Sequence, residues 1–117
     1  MISVVTDYAP CLAVRRQVFV EEQGISEAEE VDGRDPKAIH LLAMDQGKPV
    51  GAARILISGE IGKIGRICVV SEKRGSGLGA ALVAAAVDYL RQQGQVTQAK
   101  LGSQDHAIGF YAGLGFH

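Results

Sequence analysis

The stretch Arg74-Gly75-Ser76-Gly77-Leu78-Gly79-Ala80 constrains this chain more than any other. It joins an apolar, strand-like run, Ile67-Cys68-Val69-Val70, to a helix-like run from Ala80 to Gln93. Alternate glycines clear side chains from a turn that opens a helix. Its backbone N–H groups are then free to face an anion, and the helix dipole favours negative charge there. Arg74 adds a positive charge at the entrance. The stretch therefore reads as a phosphate-holding turn. A nucleoside-triphosphate loop needs Gly-Lys-Ser/Thr at its end, and no Lys-Ser or Lys-Thr pair occurs in the chain. A dinucleotide fingerprint needs Gly-x-Gly-x-x-Gly and an acid about 20 residues on. Here the spacing is Gly-x-Gly-x-Gly, and the later region Gln92-Gln93-Gly94-Gln95-Val96-Thr97 holds no acid.

Composition narrows the partners. The chain has 117 residues, which suits a single domain over 1–117. A net charge of −1 leaves no basic footprint for nucleic acid. The longest apolar run, Ala80 to Val87, is too short to span a membrane. Met1-Ile2-Ser3 leads into no basic n-region of a signal peptide. Cys11 and Cys68 make neither a disulfide framework nor a metal set, so cytoplasmic residence is expected.

In chain order, Ile2 to Thr6 reads as a strand. Pro10 suits a helix first turn, and Leu12, Val14, Val18 and Phe19 continue the stripe to Val20, with Gly24 as the stop. The run from Ile25 to Asp35 is acidic and reads as a solvated loop, or as a lid that attracts a cationic acceptor. Ile39 to Asp45, Val50 to Ile57 and Gly62 to Val70 form a three-strand meander. Asp45-Gln46-Gly47-Lys48 is its first turn, and Gly51 marks a bulge or close approach. After the helix, Val96 to Ser103 is a strand parallel to the third of the meander, because a helix crosses over between them. Ala107 to Leu114 reads as a short final helix.

Arg74-Gly75-Ser76-Gly77-Leu78-Gly79 resembles the acyl-CoA pyrophosphate loop of the GNAT acetyltransferase superfamily. Phe110-Tyr111-Ala112-Gly113-Leu114-Gly115-Phe116 looks like that superfamily's Phe-Tyr-x-x-x-Gly-Phe segment. Five further stretches look like the ElaA-like/YjcF-like branch: Val14 to Gln23, Glu30-x-Asp32, Ala38 to Leu42, Val50 to Arg54 and Gly65 to Val69. The implied fold is α/β, a mixed, mostly antiparallel sheet splayed at the acyl-CoA site and flanked by helices. Members of the branch continue past Gly115-Phe116 with two more strands, and this chain stops at His117.

The resemblance implies transfer of an acetyl group from acetyl-CoA, as cosubstrate, to a small-molecule or peptide amine. Attack would be direct, through a tetrahedral intermediate. Gly75, Ser76, Gly77, Leu78 and Gly79 would take the pyrophosphate with Arg74, and main-chain groups of Ile67, Cys68 and Val69 would pair with the pantetheine arm like an added strand. A backbone N–H near Val69 would hold the oxyanion. Tyr111 would protonate the leaving thiolate, or else packs on its helix. Gln104 would bond the pantetheine region or cap the final helix. Relatives often carry a catalytic Glu on the strand before the loop; this strand carries Lys63 and Arg66. Glu22, Asp32 and His40 remain as bases, with Glu22 preferred by its place in the Glu-Gln pair. His40 is otherwise a hydrogen-bonded structural residue, Arg54 a buried partner for Glu22 or Asp32, and Cys68 a small core residue. Two rival readings stand beside the enzyme: a non-catalytic acyl-CoA sensor, and an oligomer subunit, as in a homodimer, that completes its sheet with a partner.

Overall fold

The computed structural model describes residues 1–30, 33–101, 107–111 and 115–116. Its strands are β1 (Ile2–Val5), β2 (Ile39–Asp45), β3 (Lys48–Ser58), β4 (Ile61–Val69), β5 (Gln98–Leu101), β6 (Ala107–Tyr111) and β7 (Gly115–Phe116). Its helices are α1 (Ala9–Arg15), α2 (Glu27–Glu30) and α3 (Leu78–Arg91). The strands follow one another across the sheet in chain order. Every pairing is antiparallel except β4 with β5, where α3 crosses over.

The expected meander is present. Gln46 and Gly47 both have positive φ, 51° and 78°, the two-residue turn whose twist matches a hairpin. β3 lies inside the sheet between β2 and β4, and Val50 to Ile55 are all buried. Helices cover both faces of it. A Cβ on Gly51 would meet Leu82 Cδ1 of α3 at 3.0 Å and the Cys68 carbonyl oxygen at 3.1 Å, so the close approach expected there is real. Arg54, an odd number of residues along the strand, points to the other face and reaches Asp35, which also holds Arg15 of α1. On α1 Cys11, Val14 and Arg15 share the buried stripe, which Val18 continues just beyond it, and on α3 it is Leu82, Ala86, Val87 and Leu90.

Two elements differ from expectation. The first helix does not run evenly to Val20. After Arg15 it widens into a π-helical segment, Arg16–Glu22, with the Gln23 amide reaching back to the Val18 carbonyl at 3.1 Å. One residue more per turn resets which side chains face the sheet. The final helix expected over Ala107 to Leu114 is also corrected. Ala107–Tyr111 is extended and pairs with β5 from Gln98↔Gly109 to Lys100↔Ala107. The outer edge of β5 offers unpaired N–H and C=O groups, and Ile108, Phe110 and Tyr111 are strand formers around a glycine that weakens a helix.

Candidate active site

The glycine stretch takes the shape its sequence demands. A single 3-10 turn, Ser71–Lys73, follows β4, and α3 starts at Leu78. Gly75 and Gly77 have φ of 81° and 85°, a region closed to most side chains, and Gly77 is the N-cap. A Cβ at either would meet nothing within 4 Å, so the turn opens into free space above the helix start. No side chain caps α3, which leaves its first N–H groups for a ligand. A cavity of about 320 Å³ adjoins this end, between Ser76, Gly77 and Leu78 on one side and Met44 and Asp45 on the other.

The strand leading into the loop splays. β4 pairs with β5 from Ile61↔Gln98 to Ile64↔Leu101, where β5 ends, yet β4 continues to Val69. Among the described residues no strand pairs with Gly65 to Val69 on that side. Its other edge carries a bulge. Ala52 faces Cys68 but Arg54 faces Gly65, so β4 has one residue more than β3 between those pairs. Arg66, in that gap, has φ of 50°. Ile67, Cys68 and Val69 therefore lie on the stretch of β4 that no described strand pairs on its β5 side, and Val69 Cγ2 lies 4.0 Å from the position a Cβ on Gly79 would occupy.

Arg74 links the end of β4 to the π-helical segment. Its Nε donates to the Val69 carbonyl at 3.1 Å, and its Nη1 pairs with Glu22 at the end of the π-helical segment. The hydrogen bond from Arg74 holds the Glu22 carboxyl below its usual range, and the guanidinium is correspondingly more basic. The structure thus brings Glu22 to the glycine turn. His40 is elsewhere: 2% exposed, stacked on Tyr8 with ring centroids 4.4 Å apart, its Nε2 bonded to the Asp35 carbonyl at 2.9 Å. The structural reading of His40 fits this placement. Cys68 is buried, and desolvation pushes its thiol up to about 12, which suits an inert core residue. The backbone of Tyr111 lies on β6. Gln104 and Asp32 lie outside the described residues.

Sequence reasoning missed the ion network under the site. Arg15 is 1% exposed and Glu30 and Asp35 are 4% and 5% exposed. Arg15 Nη2 lies 2.8 Å from Glu30 Oε1, and its Nη1 lies 2.7 Å from Asp35 Oδ1. Arg54 Nη1 reaches the same Asp35 oxygen at 3.3 Å, and Arg66 Nε lies 2.8 Å from Glu30 Oε2. Burial alone would raise the Asp35 carboxyl, but the hydrogen bonds and charges of Arg15 and Arg54 hold it below its usual value. Arg54 is a buried ion-pair residue as expected, with Asp35 as its partner. The one available signal was Arg15 in phase with Cys11 and Val14 on α1 and with Val18 just beyond it.

Comparison with known proteins agrees with this geometry. The family model described as Acetyltransferase (GNAT) family matches residues 4–116. YyaT of Bacillus subtilis is 37% identical over 98% of this chain and 79% of its own length. The B. subtilis N-acetyltransferase YjcF is 34% identical over 88% of this chain and 73% of its own. The crystal structure of Escherichia coli ElaA superposes with a TM-score of 0.75 at 28% identity, covering 91% of this chain and 80% of that one. A glycine turn at a helix start, a splayed β4 and this match over nearly the whole chain lead to one conclusion: the chain belongs to the GNAT acetyltransferase family, as a GNAT-type N-acetyltransferase related to ElaA and YjcF.

Proposed function

We propose that this protein moves an acetyl group from acetyl-CoA to an amine by direct attack. The observation that carries the reading is the open edge of β4 from Gly65 to Val69, which leads straight into the uncapped start of α3. The amides of Gly75, Ser76, Gly77, Leu78 and Gly79 hold the pyrophosphate, and Arg74 turns to it from Glu22. Main-chain groups of Ile67, Cys68 and Val69 hold the pantetheine arm, with Gln104 as a further contact. The amine nitrogen attacks the thioester carbonyl, whose oxygen takes the Val69 N–H. As the C–N bond forms and the C–S bond breaks, Tyr111 gives its proton to the leaving sulfur. Glu22 accepts the ammonium proton once Arg74 has left it. Acetyl-CoA should raise the melting temperature by several degrees, and Gly77→Glu should abolish that rise by placing a carboxylate where the phosphates sit. No rise in the wild type would sink the reading.

A second reading, an acyl-CoA sensor without turnover, has a specific observation in its favour. Glu22, Glu30 and Asp35 are each engaged by an arginine. Release of free CoA thiol across an amine panel, lost in Tyr111→Phe, supports the enzyme. Binding of acetyl-CoA with no thiol release from any amine supports the sensor.

A further inference from the structure

We propose that the Glu22–Arg74 pair is a latch across the open edge of β4, one that admits a pantetheine thioester only when it carries phosphates. This rests on the donor reading above. The direction in which β4 presents its main chain follows from its pairing. Val69 sits opposite Gly51, and the Val70 amide donates to the Val50 carbonyl at 3.0 Å. Main-chain groups of successive residues in an antiparallel ladder point to alternate sides. The N–H and C=O of Val69 therefore point away from β3, to the side on which β5 has already ended. That carbonyl is the acceptor a strand-like ligand would use. Arg74 already uses it, with Nε donating at 3.1 Å. The guanidinium thus lies where the N–H of an added strand would lie.

Glu22 keeps it there. Nη1 of the same guanidinium pairs with the Glu22 carboxylate, at the end of the π-helical segment. The Arg74 main chain is tied into the turn, its amide donating to the Ser71 carbonyl at 3.3 Å, so opening the latch is a swing of the side chain. The amides and thioester of a pantetheine arm are neutral and do not compete with a carboxylate for a guanidinium. A pyrophosphate at the start of α3 does compete, because it offers the same charge-assisted bonds. Phosphates draw Arg74 off, and the arm then pairs with the freed Val69 carbonyl. A thioester without phosphates meets the closed edge. Both side chains of the pair are partly exposed, so the latch is worth about threefold in affinity.

Two donors and a mutant cycle test this. Acetyl-CoA binding is measured by calorimetry, and binding of S-acetylpantetheine, which lacks the phosphates, by NMR titration. The proteins are the wild type, Glu22→Gln, Arg74→Ala and the double variant, each checked for cooperative melting. Glu22→Gln should bind both donors about threefold more tightly. Arg74→Ala should split them: S-acetylpantetheine about threefold tighter, acetyl-CoA about tenfold weaker. Adding Glu22→Gln to Arg74→Ala should change neither. If Glu22→Gln tightens acetyl-CoA as much without Arg74 as with it, the latch is overturned, because Glu22 then acts by repelling the phosphates. S-acetylpantetheine no tighter in Arg74→Ala than in the wild type would overturn it too. Should S-acetylpantetheine bind none of the four measurably, the acetyl-CoA cycle decides alone by the same criterion. A wild type that does not bind acetyl-CoA would instead overturn the donor reading, and the latch with it.

Discussion

Asp35 shows how much one side chain can carry. It is 5% exposed and receives Arg15 and Arg54 together. Replacing it with Asn leaves two buried guanidinium groups short of a counter-charge, which should cost about 3–5 kcal/mol. Urea unfolding at neutral pH measures that loss. The sign of its pH dependence follows from the depressed carboxyl. Its contribution is complete above the ordinary aspartate value of 3.8 and is lost as pH falls through the lower folded value. Stability of the wild type should therefore fall in that acid window, and the fall should be shallower in Asp35→Asn. A parallel acid profile in the two proteins would contradict this. Asp35 was not legible as a buried group, since it ends an acidic run that composition assigns to solvent. Its partner Arg15 lies 20 residues away, and no local pattern links them.

At the scale of elements, sequence and structure agree where local rules decide. Gln46-Gly47 makes its turn, Pro10 sits in the first turn of α1, and the parallel pairing of β4 with β5 follows from the crossover. They part where a distant partner decides. The π-helical segment leaves no periodic signature, and Ala107–Tyr111 joins a sheet edge that no local count of propensities includes. The seat of α3 on β4 gives a prediction. A Cβ on Gly62 would lie 3.1 Å from Leu90 Cγ and closer still to both its methyl carbons, and Leu90 is wholly buried. Gly62→Ala should therefore push α3 outward and cost about 1–3 kcal/mol. A melting temperature equal to wild type would show that Leu90 finds another rotamer.

The whole molecule places a sheet between two helical layers, with the proposed chemistry at the point where β4 and β5 part. The glycine turn was legible because its glycines and its helix are contiguous in the chain. The network beneath it was not, because α1, α2, β3 and β4 each give it one residue and the turn Asp35–Lys37 gives a fifth. Burial also decides how the two thiols behave. Cys11 and Cys68 lie in the core, and desolvation pushes them up to about 11 and about 12. Thiolate is the reactive form, so both stay silent toward an aromatic disulfide reagent at neutral pH. A colorimetric assay of released CoA should then run on the native protein with a flat baseline. The same reagent should register both cysteines per chain only when the fold opens, so the silent pair doubles as an internal gauge of unfolding. Prompt labelling of the native protein would refute this.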